Sequence, residues 1–187
     1  MLLRIQINNH LFILMCRIVL LVAFFILINS SIISYAVQSK VGSITGLPIP
    51  RFVVIKSKDT NMRSGPGMNY PSKINYKCMF MPVEVQDEFE NWRLARDING
   101  NKGWIHEAML DGRRYIQIVS SKKLNQNDTE VLIFRLPDLQ SKPIARIAVG
   151  SVGKLLQCTN QWCKVSFGAS YKGWAPKNKL WGVYQED

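Results

Sequence analysis

The sequence predicts an all-β chain made of two homologous units, and three observations carry that expectation. Beyond residue 36 the apolar residues fall in short runs separated by turn residues, as strands do. No stretch there keeps a helical period for three turns. Trp92 and Trp162 stand 70 residues apart, as do Gly103-Trp104 and Gly173-Trp174, so the two tryptophans of each copy are separated by twelve.

The first 36 residues stand apart from this pattern. Arg17 precedes an eleven-residue apolar run, 18–28 (IVLLVAFFILI), then Asn29-Ser30-Ser31 and Ser34-Tyr35-Ala36. A basic start, an apolar stretch and a small-x-small triplet read as a secretory signal-peptide helix cleaved after Ala36. The charge-free run 18–36 has 19 residues, near the roughly 20 that span a bilayer. An inner-membrane anchor is therefore the alternative, against which Ser30, Ser31 and Ser34 weigh. Met1 or Met15 is the start, and Met15 gives the more ordinary signal peptide. Cys16 precedes the apolar run, so it is not a lipoprotein's acylated cysteine. The expected location is the periplasm or the cell exterior.

Residues 37–50 mix Gly, Ser and Pro without period and read as a linker. The strand-like runs that follow include Phe52-Val-Val-Ile55, Pro82-Val-Glu-Val85, Trp92-Arg-Leu-Ala95 and Gly103-Trp-Ile105. Glu130-Val-Leu-Ile-Phe134, Gly153-Lys-Leu-Leu156 and Lys164-Val-Ser-Phe167 continue the series. Asn99-Gly100 signals a hairpin, because both central positions of a type I′ turn take positive φ. Ile74 and Ile144, Val85 and Leu155, and Leu110 and Leu180 keep the repeat offset. The units are 51–111 and 128–183, joined by an inter-domain segment, 112–127.

The residues 60–67 (TNMRSGPG) are similar to the N-x-R-x-G-P segment of bacterial SH3 domains, followed in the family's order by V-E-V, a Trp strand, G-W-I and a closing leucine. Gly103-Trp-Ile-His-Glu-Ala-Met-Leu110 and Lys179-Leu-Trp-Gly-Val-Tyr184 resemble a tandem secreted subfamily of Gram-negative bacteria. The resemblance implies two SH3-like small barrels, half-open and five- or six-stranded, whose loops bind peptides or cell-wall material without catalysis. Met81-Pro82 stands where the family has a glycine before V-E-V. The second unit lacks the N-x-R-x-G-P segment, so no equivalent site is carried over to it. Its Cys158…Trp162-Cys163 element resembles the family's paired-cysteine hairpin.

Five residues are the binding candidates: Asn61, Arg63, Tyr70, Tyr76 and Trp92. Arg63 suits a bidentate contact to a peptide carboxylate; alternatively it braces its own loop through Asp59 or an acid at 87–90. Tyr70 and Tyr76 flank the loop, where rigid barrels carry function. Trp92 and Trp104 offer an aromatic platform, although Trp104, after its strand glycine, is also the better candidate for the core. Trp162 and Trp174 are read in the same way. Gly65-Pro66-Gly67 is a turn, not a phosphate loop.

Cysteine usage fits export. Cys158 and Cys163 flank a four-residue loop, and an oxidising compartment permits a disulfide worth about 2 kcal/mol of closure entropy; two free thiols on adjacent strands are the alternative. One such pair is no zinc site, and neither metal nor cofactor is expected. Cys78 reads as a small buried hydrophobe. A peptidase built on Cys78 and His106 lacks a third orienting residue and a catalytic domain. The formal charge is +11, of which Arg4 and Arg17 account for two. This charge favours polyanions. Arg113-Arg114 and Lys122-Lys123 add contact with an anionic membrane surface, or are merely solvated. Export leaves a cell-wall peptide or an envelope protein as the expected partner. No nucleic acid is expected; that reading returns if the signal does not function.

Overall fold

Residues 40–120 and 129–187, with Leu14 and Arg17, are described by the computed structural model, so the signal-peptide expectation lies otherwise outside the described residues. Among the described residues no helix is long and apolar enough to cross a membrane. From Ser39 to Asp187 the chain forms one unit holding two seven-stranded antiparallel sheets.

In the first sheet β3 (Arg51–Ile55), β4 (Thr60–Arg63), β5 (Ser72–Tyr76), β6 (Pro82–Phe89), β7 (Trp92–Arg96), β8 (Lys102–His106) and β9 (Leu110–Asp111) lie in the order β5-β4-β8-β7-β6-β3-β9. A 3₁₀ turn, Glu107–Met109, joins β8 to β9. β1 (Lys40–Val41) and β2 (Pro48–Ile49) form a separate hairpin ahead of it. Strand alternation sorts the side chains: in β4, Thr60 and Met62 point inward while Asn61 and Arg63 stay half-buried. Ile55, Met62, Val83, Val85, Ala95 and Ile105 fill the core. Burying each larger one stabilises the fold by roughly 1.5–3 kcal/mol.

The second sheet repeats this order strand for strand. β10 (Tyr115–Ile118), β11 (Glu130–Phe134), β12 (Pro143–Ala148), β13 (Val152–Thr159), β14 (Trp162–Phe167), β15 (Tyr171–Pro176) and β16 (Leu180–Trp181) run β12-β11-β15-β14-β13-β10-β16. Bulges recur at matching places, between Val85 and Asp87 and between Leu155 and Gln157. Gly103 and Gly173 are glycine for one reason: a Cβ would sit 2.6 Å from the carbonyl oxygen of Arg63 or of Phe134. The repeated Gly-Trp thus marks where β8 and β15 pass close to β4 and β11.

Several expectations shift. The segment 112–127, expected only to join the units, contributes β10 to the second sheet. The linker 37–50 carries β1 and β2, and Ile49 enters the first core. Ile144 is not the counterpart of Ile74: register pairs Met62 with Ile74 and Ile133 with Ala145, leaving Ile144 exposed beside the bulge. The Asn99-Gly100 hairpin forms, but among its two residues only Gly100 has positive φ (85°). Gly100 N–H donates to Asp97 O, giving a three-residue hairpin loop with a glycine bulge. Asp97 Oδ1 accepts from the N–H groups of Asn99 and Asn101, which fixes that loop.

Glu88 anchors the first hairpin. Its fully buried carboxylate accepts from Ile44 N–H (3.0 Å), Thr45 N–H (2.9 Å), the Thr45 hydroxyl (2.7 Å) and Arg51 Nη2 (2.7 Å), with Arg93 Nε at 3.8 Å. Burial alone would raise its pKa, but these donors outweigh it and hold the group at about 2.

The barrels are packed against each other. Trp181 Nε1–H donates to Pro82 O (3.0 Å), and its ring meets Phe52 edge-on at 5.0 Å beneath the Arg96 guanidinium. Tyr184 meets Phe52 at a tilt of 37° and donates to Glu84 (3.2 Å), while Phe80 stacks on Tyr115 at 4.9 Å. Gly182, at φ 109°, is required here because a Cβ would lie 2.5 Å from Tyr115 O. Burial, then Glu84, raise the pKa of Tyr184.

Candidate functional site

Along the outer side of β4 lies a groove of about 380 Å³ lined by Asp59, Asn61, Arg63, Met68, Trp92, His106, Ala108 and Met109. β4 supplies Asn61 and Arg63 because alternate residues face outward, β7 supplies Trp92, the end of β8 with its 3₁₀ turn supplies His106, Ala108 and Met109, and the loops on either side of β4 supply Asp59 and Met68. Trp92 is its floor: the residue is 7% exposed and meets the His106 ring edge-on at 5.2 Å. His106 Nδ1 accepts from Ala108 N–H (3.2 Å), fixing the ring.

A polar lattice holds one wall. Asp59 Oδ1 accepts from Asn75 and from Lys77, both at 2.7 Å, and Asn61 Oδ1 accepts from Asn75 (2.8 Å) and Ser72 (2.9 Å). The Lys77 bond, then the Asn75 bond, lower the Asp59 pKa. Arg63 Nη1 donates to Tyr70 O at 2.7 Å. Arg63 therefore braces its loop, but through a carbonyl, and among the described residues it has no ion pair. The glycines of Gly65-Pro66-Gly67 seat Tyr70, whose ring would lie 2.4 Å from a Cβ at position 65.

Of the five candidates, Asn61, Arg63 and Trp92 line one groove, and Tyr70 stands exposed on the adjoining loop, tied to Arg63. Tyr76 is a correction: it is buried, with its hydroxyl donating to Asp97 at 2.9 Å, so it supports the core rather than a ligand. Burial, then Asp97, raise its pKa. The tryptophans also exchange roles, since Trp92 is buried while Trp104 is half-exposed. Cys78 is exposed, its thiol 4.0 Å from Met81 Sδ, and not a core residue. Met68 and Met109 carry no sequence expectation, and His106, weighed in sequence only as a partner of Cys78, lines the groove instead; the N-x-R-x-G-P loop and the G-W-I-H strand end are the signals for them.

The second barrel has a hollow in the matching place, of about 260 Å³, lined by Glu130, Val131, Leu132, Phe134, Leu139, Pro176 and Lys179. Register sets Arg63 against Trp104 and Phe134 against Trp174, so Phe134 replaces Arg63 and Leu132 replaces Asn61. A hollow persists, with apolar side chains at the two positions that carry Asn61 and Arg63 in the first barrel.

The bacterial SH3 domain family matches this chain twice, over residues 56–112 and 127–182. The chain belongs to the bacterial SH3 domain family. Its two SH3-like barrels stand in tandem, and the second is tied by a disulfide between Cys158 and Cys163, which pair across β13 and β14. No curated protein sequence matches the chain. Among solved structures it is similar to NlpC2 and NlpC1 from Trichomonas vaginalis, each with 13% identity and a TM-score of 0.30. Those alignments cover 71% and 70% of this chain but 48% and 45% of the others, so the chain spans about half of their length.

Proposed function

We propose that the protein is a non-catalytic binding module of the cell envelope, exported by segment 1–36, whose first SH3 barrel holds a carboxylate-bearing peptide in the groove at Arg63. The peptide is a peptidoglycan stem peptide or a segment of an envelope protein. The observation that carries this reading is the state of Arg63. One of its N–H groups holds the loop, among the described residues it has no ion pair, and it stands in a groove floored by Trp92. A guanidinium so placed accepts a carboxylate in bidentate geometry. Met68 and Met109 offer adaptable apolar contact to the adjoining methylenes. Membership in a family of protein- and wall-binding modules supports the reading. The contacts of the rival catalytic pair agree with it: Cys78 touches Met81, and His106 engages Ala108 and Trp92.

The test is co-sedimentation of the purified chain with peptidoglycan sacculi at low and moderate salt. Salt-resistant binding that is lost in the Arg63→Ala/Tyr70→Ala variant, with its melting temperature retained, supports the site. Unchanged binding in that variant removes Arg63 from it. Binding abolished by modest salt alone leaves only charge attraction and overturns the wall-peptide reading in favour of an envelope protein segment.

A further inference from the structure

The positive charge is not shared between the barrels. Residues 51–111 carry nine Lys and Arg against eight Asp and Glu, whereas residues 112–187 carry twelve against five. In the first barrel the cations meet acids: Arg51 and Arg93 at Glu88, Arg96 at Glu84, Lys77 at Asp59. In the second half the ion pairs among the described residues are Arg113–Asp111 and Arg114–Asp187, both beside the seam.

Register places three of the other cations, Lys154, Lys164 and Lys172, on one face. Lys154 pairs with Ser166 and Ser166 with Lys172, so these three form a row across β13, β14 and β15. Directly paired residues share a face, and two strand spacings set the row's ends roughly 10 Å apart. Lys164 pairs with Trp174 in the next row, its ammonium 5.8 Å from the ring centre. Cys163, Val165 and Ala175 alternate with these residues into the core, leaving the lysine row outside. The corresponding row of the first barrel is Glu84, Arg96 and Lys102, closed by the Arg96–Glu84 pair at 2.9 Å. In the second barrel Lys154 stands where Glu84 does, and among the described residues Lys154, Lys164 and Lys172 have no ion pair.

We infer that this face of the second barrel is a binding surface for a carboxylated polysaccharide, separate from the peptide groove of the first. Ammonium groups meet the uronate carboxylates, and the half-exposed Trp174 ring between them covers a pyranose face. Stacking of successive bases calls for adjacent open aromatic faces. Here the face offers the one ring of Trp174, because Trp162 is engaged edge-on with Phe134 at 87°. A nucleic acid fits less well.

The experiment is calorimetric titration of the purified chain with oligogalacturonate, neutral dextran and a single-stranded oligothymidylate. Oligogalacturonate binds and dextran does not. Lys154→Glu with Lys172→Glu, both at exposed positions, lowers affinity at least tenfold with melting temperature unchanged. Trp174→Leu, which keeps the charge, lowers it severalfold. Equal or tighter binding of the oligothymidylate overturns the inference, as does undiminished oligogalacturonate binding in either variant. Arg63→Ala leaves this binding intact, so failure here and failure of the peptide groove are separately visible.

Discussion

Replacing Glu88 by glutamine tests the account of how the first barrel is held. The carboxylate is fully buried and receives three donors from residues 44 and 45 and one from Arg51. Gln keeps the volume but turns one acceptor into a donor facing donors, and it leaves Arg51 and Arg93 without their shared anion. Breaking a buried pair from one side costs about 3–5 kcal/mol, a large part of a small domain's stability. The pH dependence gives an independent figure. Glu88 titrates at about 2 in the folded chain against an ordinary 4.5. At ~1.4 kcal/mol per pH unit, the difference corresponds to about 3 kcal/mol. Because the folded value is the lower one, this stability is fully present above the ordinary value and is lost as pH falls towards the folded one. Urea unfolding should therefore show a wide gap between wild type and Glu88→Gln at neutral pH, closing between about pH 4.5 and pH 2. A variant within about 0.5 kcal/mol of wild type at neutral pH, or a gap unchanged by acid, would refute the reasoning.

Two further outcomes follow from the seam and the cysteines. Trp181→Ala removes the bond to Pro82, the contact with Phe52 and the ring beneath Arg96, at a cost of about 3 kcal/mol; calorimetry should then resolve two unfolding transitions, and a single transition at the original midpoint contradicts the coupling of the barrels. Of the three cysteines beyond residue 36, Cys78 alone should take a thiol label in the unreduced native chain, with all three labelled after reduction and unfolding. Three labels without reduction would rule out the bridge.

What was legible in the sequence was what repetition and local chemistry encode. Gly103-Trp104 and Gly173-Trp174 could be read because a backbone contact allows no Cβ at either glycine. Asn61 and Arg63 could be read because alternation along β4 turns both to one side. β10 escaped notice because its four residues follow Arg113-Arg114, and their pairing partners, β13 and β16, lie far along the chain. The exchange between Trp92 and Trp104 has a similar cause. The glycine before Trp104 marks its own approach to β4, while Trp104, next in the strand, points the other way. Tyr76 was misplaced because its partner Asp97 is brought close only by tertiary packing. The matching hollow of the second barrel had no sequence signal, since Phe134 and Leu132 replace the polar residues that define the motif.

The two barrels close the same point by different means. Register sets Glu88 opposite Arg93 on β6 and β7, and Cys158 opposite Cys163 on β13 and β14. Each pair lies beyond the bulge, at the far end of the long strand, so the two are structural counterparts. In the first barrel the carboxylate also receives the β1–β2 hairpin, and that second task requires an acceptor of several hydrogen bonds, which a disulfide cannot provide. In the second barrel no donors from a preceding hairpin reach Cys158 among the described residues, and a covalent link suffices. The neighbouring core positions compensate in volume: Ala95 and Ile105 become Val165 and Ala175, so each interior remains filled. Once Trp181→Ala has uncoupled the barrels, acid should therefore loosen the first with little effect on the second, and reduction should do the reverse. The groove at Arg63 and the lysine face can then be disabled one at a time in the same molecule, because a different chemical bond secures each.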